Sequence, residues 1–354
     1  MTVHEEHDSS RPRHHWWRRV LILTCTLLAV VVLTITGVVY VLSDQLIRNV
    51  DRIPSVFASL DPGQRPPRSA DPTEQGTTFL LAGSDSLAAE PTTGTDAAEH
   101  AEFQPGAQRS DVIMLMRFNA ALTRAVVVSI PRDSWVPVPG HGQAKINAAF
   151  SYGGPALLVQ TVEALTRTRI DHYASVDFAG FEAMIDAVDG IDVTIARPTS
   201  FGTLHFHAGV NHLDGGQALA YVRQRKHLPR GDLDRVQRQQ NAMRALLAKV
   251  GATTPLADPI SLYQLVDAMS RSIDVDDTLT DSDLRSLAFG LRNLQGGQVT
   301  FLTAPVSGLG REGNQSVVYL DAGRTPALWQ AFNGDDMAAY VTANASDVLG
   351  ASPP

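Results

Sequence analysis

The chain has 354 residues, a formal net charge of −8 and a single cysteine, Cys25. That length supplies one large or two modest cores, and one thiol excludes an intramolecular disulfide, so the fold must hold by packing. The acidic balance, without a basic patch interleaved with aromatics, argues against nucleic acid as a partner.

Taken in order, residues 20–42 form a stretch of 23 residues without a charge. As a helix it spans roughly 35 Å, enough for a bilayer core of about 30 Å. RPRHHWWRR precedes it, four arginines and two tryptophans suited to the headgroup layer. A cleavable leader has a shorter apolar run and a small-residue cleavage site, and VVYVLSDQ offers none. The expectation is a single-pass anchor, with residues 1–19 in the cytoplasm and everything after about Ser43 outside the cell membrane. Residues 43–56 read as a helical continuation. DPGQRPPRSADP reads as a proline-rich linker, which makes 43–76 a stalk outside the core.

Three apolar runs bounded by turns follow, at 77–82, 111–118 and 124–130. They fit buried central strands of an α/β sheet with helices on both sides. Residues 87–108, between the first two, read as an exposed loop. Pro155 opens an amphipathic helix to Thr166 with Leu157, Leu158, Val162 and Leu165 inward. Asp177 caps a second helix stopped by Gly190. Helices near 259–270 and 282–294 lead to a strand at 298–303, and the tail after Ser346 reads as loose. His205, His207 and His212 lack the ligand spacing of a zinc site and read as ordinary surface or core histidines.

The charged residues at the strand ends carry chemistry. Asp85 follows the first strand and Asp111 opens the second. Two carboxylates from adjacent strand ends suit one magnesium ion completed by phosphate oxygens, although each alone reads as a turn aspartate. Arg132, in SIPRD, projects from the end of the third strand, where open α/β sheets bind ligands. Residues 218–249 hold eight Lys or Arg against Asp232 and Asp234. AYVRQR reads as a short strand with Arg223 and Arg225 on one side. GDLDRVQRQQ opens a helix on which Asp232, Arg235 and Gln239 share a face, with Arg238 beside them. A basic helix is ordinarily a solvated face, but such faces mix signs, and no acid follows Arg235 in this one. Arginines from two elements can therefore converge on one anion, and their planar forks suit phosphate.

GSDS (83–86), RSD (109–111), SIPRD (129–133), KINAAFSYGG (145–154), VDFAGFEAMIDAVDGIDV (176–193), LDGGQALAYVRQR (213–225) and GDLDRVQRQQ (231–240) together resemble the LytR-CpsA-Psr family, in order. The resemblance covers roughly 77–305 and implies an αβα sandwich with a central mixed β-sheet and a pocket for a lipid tail. Residues 306–354 are then an extension of the same domain. It also implies a membrane-anchored enzyme that moves an anionic glycopolymer from a polyprenyl-pyrophosphate carrier onto peptidoglycan, with magnesium, releasing polyprenyl phosphate. By position, Asp85 and Asp111 would bind the metal. Arg109, Arg132, Lys145, Arg223, Arg225, Arg235 and Arg238 would face the pyrophosphate, supported by Gln239. Arg132, Arg225 and Asp232 would be catalytic, Asp232 either activating the acceptor hydroxyl or orienting Arg235. Leu87 stands where the family usually has arginine. Two other functions fit the same residues: hydrolysis of a lipid pyrophosphate by water, and a non-enzymatic binder of lipid pyrophosphate or wall glycan with a regulatory role.

Overall fold

The computed structural model of the protein describes residues 49–68, 76–86, 108–225, 228–252, 267–290, 294, 298–334 and 336–354, with backbone alone at 84–86, 108–109, 251–252 and 288–289. The expected membrane span, the 87–107 loop and most of the 259–270 helix lie outside them. Among the described residues, no helix is long and apolar enough to cross a membrane.

Along the chain come β1 (Asp51–Ile53), β2 (Thr77–Ser86), β3 (Gln108–Phe118), β4 (Ala125–Ser129) and a hairpin of β5 (Trp135–Val138) and β6 (Gly142–Lys145). Then follow α1 (Ile146–Thr166), β7 (His172–Val176), α2 (Phe178–Ala187), β8 (Ile191–Ile195), β9 (Thr199–Phe201), β10 (Leu204–Phe206) and β11 (Gly209–Leu213). After α3 (Gly215–Arg223) and α4 (Asp232–Ala252) come β12 (Ile273–Asp276), α5 (Asp281–Gly290) and β13 (Val299–Thr303). The hairpin β14 (Val306–Glu312) and β15 (Gln315–Leu320), then α6 (Thr325–Asn333) and α7 (Met337–Ala343), complete the described elements.

A seven-stranded mixed sheet in the order β1-β12-β7-β2-β3-β4-β13 forms the middle layer. The three strands expected to be central are neighbours in it, β3 antiparallel to both β2 and β4. Alternation along β3 decides the layers, because successive side chains point to opposite faces. Ile113 and Leu115 bury against α1, α6 and α7 on one side. Met114 and Met116 bury in a cluster that takes in Met243 and Leu247 of α4 and Leu284 and Leu287 of α5. A continuous apolar run is what a strand covered on both faces requires.

The stalk reading does not hold for its described part. Residues 51–53 are a strand, β1, paired parallel with β12 rather than a helix. Val56 and Leu60 are buried in the main core. Arg65 makes a two-pronged bond to Glu163 of α1, at 3.0 and 2.8 Å, and donates to the Ile170 carbonyl at 2.6 Å. Prolines break regular structure without exempting a segment from packing. The packed unit therefore starts before Thr77, from about Ile47.

The tail is not loose either. The Leu349 amide donates to Phe301 at 2.9 Å, and the Ala196 amide donates to Pro353 at 3.1 Å. Arg244 holds the Gly350 and Ala351 carbonyls. Helix α1 begins nine residues before Pro155. Its first part ends at Gly153 and at Gly154, whose φ of +62° kinks the axis. Asp177 caps α2 as expected, accepting from the Gly180 amide at 2.8 Å.

Glu163 is 4% exposed and its Arg65 partner 11%. Replacing Arg65 by alanine strands a buried carboxylate and should cost roughly 3 kcal/mol. Arg68, whose side chain is 62% exposed against Asp171, should cost under about 1 kcal/mol on the same change. Chemical denaturation of the two variants reads both values.

Candidate active site

The site begins at an irregularity between β2 and β3. Gly83 pairs with Val112 and Ser84 with Ser110, so Asp111 is the extra residue of a β-bulge. Bulges bend a strand and re-aim the side chain they carry. A Cβ on Gly83 would lie 2.8 Å from Val112, so the close approach there requires glycine. Ser110 closes the bulge from inside, fully buried, its hydroxyl donating to the Val112 carbonyl at 2.7 Å. Asp85 pairs with Arg109 just beyond, so Asp85 and Asp111 lie on paired strands with the Ser84–Ser110 pair between them.

The strand end of β4 supplies the next pieces. After Ser129 the chain turns through Pro131, with the Ser134 amide and hydroxyl both donating to the Pro131 carbonyl. That turn presents Arg132, which donates to Asp111 in a short ion pair. Asp133 beside it accepts from Lys145 at 3.0 Å and lies 3.8 Å from Arg132. Lys145 ends β6 and leads directly into α1.

Helix α4 closes the group. Asp234 fixes its start, accepting from the Arg230 amide at 2.8 Å and the Arg230 Nε at 2.7 Å. Asp232 and Arg235, one turn apart, pair at 2.8 Å, and Arg235 lies 3.7 Å from the second oxygen of Asp111. Asp232 in turn is 3.6 Å from Arg132. Two arginines and two aspartates thus alternate in a ring drawn from β3, the turn after β4, and α4. Arg235 is 2% exposed, and its Nε and Nη2 lack an aligned hydrogen-bond partner, as do both oxygens of Asp232. A buried charged group left with open donors or acceptors is costly unless a ligand meets it.

Charge balance follows from these distances. Burial works against the charge on Arg132, but Asp111, Asp232 and Asp133 outweigh it and hold the guanidinium above its ordinary pKa. Arg235 goes the other way: burial lowers it, and repulsion from Arg132 and Arg225 adds to that against Asp232 and Asp111. Beyond the ring opens a cleft of about 800 Å³ lined by Arg132, Asp133, Lys145, Asn147, Tyr152 and Arg225, with Asn314, Gln315 and Ser316 from the β14–β15 hairpin on another wall.

The structure therefore brings together Arg132, Lys145, Arg225, Arg235, Asp111 and Asp232, and it places Arg223 and Arg238 differently from the expectation. Arg223 ends a helix, not a strand, so it and Arg225 do not share a face by alternation. A capping box from Asp214 to Gln217 starts that helix. The D-x-x-Q spacing was present in LDGGQ and is the signal that the strand reading passed over. The Arg223 guanidinium lies 4.5 Å over the Phe178 ring. Arg238 is fully buried and committed to structure, bonded to Gln224 at 2.7 Å and to the Pro354 carbonyl at 2.8 Å, and lying 4.7 Å over Tyr221. Arg238 thereby leaves the expected pyrophosphate set, whereas Arg223 stays exposed. Gln239 sits half-buried one turn beyond Arg235. Asp85 and Arg109 are placed by backbone alone. Sequence reasoning missed Asp133, although it closes the SIPRD motif, and the hairpin residues, which no motif marked. Among the described residues no group of three or more His, Cys, Asp or Glu forms a metal cluster, and His205 and His212 bond to Ser200 and Asp192.

Fold and site together define an α/β domain with a cleft at the strand ends lined by Arg132, Lys145 and Arg225. The chain belongs to the LytR_cpsA_psr family, whose model matches residues 59–333. The cell wall biosynthesis protein LcpA of Corynebacterium glutamicum is 32% identical over 340 residues, covering 87% of this chain and 64% of that protein. The polyisoprenyl-teichoic acid–peptidoglycan teichoic acid transferase TagU of Oceanobacillus iheyensis is 34% identical over 218 residues, covering 60% of this chain and 66% of that one. The chain thus spans just under two thirds of the length of these relatives. The crystal structure of B. subtilis TagV superposes with a TM-score of 0.60 at 25% identity, covering 74% of this chain and 98% of that one.

Arg225 is exposed and lines the cleft. Its replacement by alanine should weaken binding of inorganic pyrophosphate at least about tenfold and leave the melting temperature unchanged. Calorimetric titration and a thermal melt of the variant read the two effects.

Proposed function

We propose that this chain is a phosphotransferase that moves an anionic glycopolymer from a polyprenyl-pyrophosphate carrier onto peptidoglycan. The observation that carries the reading is the convergence of Arg132, Lys145 and Arg225, three cations from three separate segments, on one cleft, with Arg235 joined to Arg132 through the shared partners Asp111 and Asp232. Arg235 there is buried with open donors. Phosphoryl transfer asks little of a protein beyond positioning and neutralising charge on the phosphoryl oxygens. That chemistry matches the residue set, and a relative named as a teichoic acid transferase supports it.

In this reading a sugar hydroxyl of peptidoglycan attacks the glycan-side phosphorus, forming a phosphodiester as polyprenyl phosphate leaves. Arg132, Arg225 and Lys145 hold the diphosphate from the cleft side, and Arg235 backs them through Asp111 and Asp232. Asp232, ion-paired to Arg235 at 2.8 Å, either takes the hydroxyl proton or fixes that arginine. Magnesium fits the chemistry of the donor set: Asp85 and Asp111 lie on paired strands beside the bulge, and the ion usually takes one or two carboxylates with phosphate oxygens. Bound there, it would neutralise charge on the diphosphate. Anchoring by residues 20–42 would keep the cleft near its lipid-borne donor outside the cell.

A labelled lipid-linked glycan, incubated with the chain with and without peptidoglycan, separates the outcomes. Label joined to peptidoglycan is expected. Free glycan phosphate would make the chain a hydrolase, and unchanged substrate a binder. Asp111→Ala should abolish the response of transfer to added magnesium; an unchanged response in that assay removes Asp111 from the metal site.

A further inference from the structure

The cleft is lined by two kinds of side chain. Arg132, Asp133, Lys145 and Arg225 carry charge, whereas Asn147, Tyr152, Asn314, Gln315 and Ser316 are neutral. Tyr152 keeps 45% of its surface exposed, one of few large apolar side chains described that do so. His141 backs it, the rings stacked at 4.5 Å between centroids and 21° between planes. Both are held by local geometry. His141 sits in the β5–β6 turn between Gly140 at φ +75° and Gly142 at φ +73°, and Tyr152 is the last helical residue before the Gly153–Gly154 kink. Across the cleft, the tip of the β14–β15 hairpin offers amides and a hydroxyl, all exposed. The hairpin is held in place by the Val318 amide donating to the Asp133 carbonyl at 2.9 Å.

An exposed, backed aromatic face beside neutral hydrogen-bonding groups suits a ring with an apolar C–H face and a rim of hydroxyl or acetamide groups. We infer that the neutral side chains of the cleft form a subsite for one neutral pyranose ring, stacked on Tyr152 and hydrogen-bonded by Asn147, Asn314 and Gln315. The inference rests on the proposed function for its neighbour, since a diphosphate held by the cations would share the same cleft. Asp133 ties the cations to the hairpin, its carboxylate on Lys145 and its carbonyl on Val318. The same chemistry belongs to an acceptor sugar of peptidoglycan and to the first sugar of the donor.

The test titrates the full chain with three ligands: a neutral N-acetylglucosamine tetramer, a short-chain prenyl pyrophosphate, and that prenyl pyrophosphate carrying N-acetylglucosamine. Tyr152→Ala should weaken a sugar-bearing ligand about tenfold, leave the bare prenyl pyrophosphate unchanged, and be rescued by Tyr152→Trp. A loss on the tetramer assigns the ring to the acceptor. A loss confined to the glycosylated pyrophosphate assigns it to the donor. No loss on either sugar ligand, or an equal loss on the bare pyrophosphate, overturns the subsite. Failure of the bare pyrophosphate to bind the unaltered chain would sink the anion reading instead, while the tetramer still decides the sugar.

Discussion

The ring of Arg132, Asp111, Arg235 and Asp232 is the constraint around which the domain is arranged. Taking charges out of water is expensive, and mutual attraction repays it only where geometry is good and remaining donors find partners. Here each arginine has a carboxylate on either side, which lets Arg235 sit at 2% exposure. The pairing is nonetheless incomplete, because Nε and Nη2 of Arg235 find no hydrogen-bond partner of good geometry within the ring. An anion entering the cleft would meet guanidinium groups already desolvated and aimed, so less ordering cost falls on the binding step.

Each member of the ring is set by a separate local device. A bulge turns Asp111, a proline turn presents Arg132, and Asp234 pins the first turn of α4 beneath Asp232 and Arg235. Gln240, on the buried side of α4, ties that helix to the sheet by donating to the Ser129 hydroxyl at 2.8 Å and the Leu302 carbonyl at 2.6 Å. From the far side the C-terminal residues hold Arg238 and Arg244. Helix α4 is therefore fixed along its length, and the site residues on it inherit that rigidity.

Much of this was legible in the sequence. The apolar runs of β2, β3 and β4 named the middle of the sheet, because strands buried on both faces lose the polar alternation that would have blurred them. The acids at the start of α4 and the cations behind them located the site. What failed were readings in which local composition competed with tertiary packing. Prolines around Arg65 suggested a linker, yet Val56 and Leu60 fill the core. The Tyr-Val-Arg run suggested a strand, yet the box at Asp214 nucleates a helix two turns earlier. The i, i+3 spacing grouped Arg238 with Arg235, while the helix turns it onto Tyr221. The hairpin tip could not be found at all, since its neutral residues acquire a role only by lying opposite Arg132 in space.

The hairpin of β14 and β15 gives the domain room to diversify. Its tip is exposed and makes no ion pair with the charged ring, and surface substitutions of this kind usually shift stability by no more than about 0.5 kcal/mol. Changes at Arg235 or Asp111 instead leave a buried charge alone. The two walls of one cleft thus differ in what a substitution costs: the hairpin tip can change with the fold intact, and the ionic floor cannot.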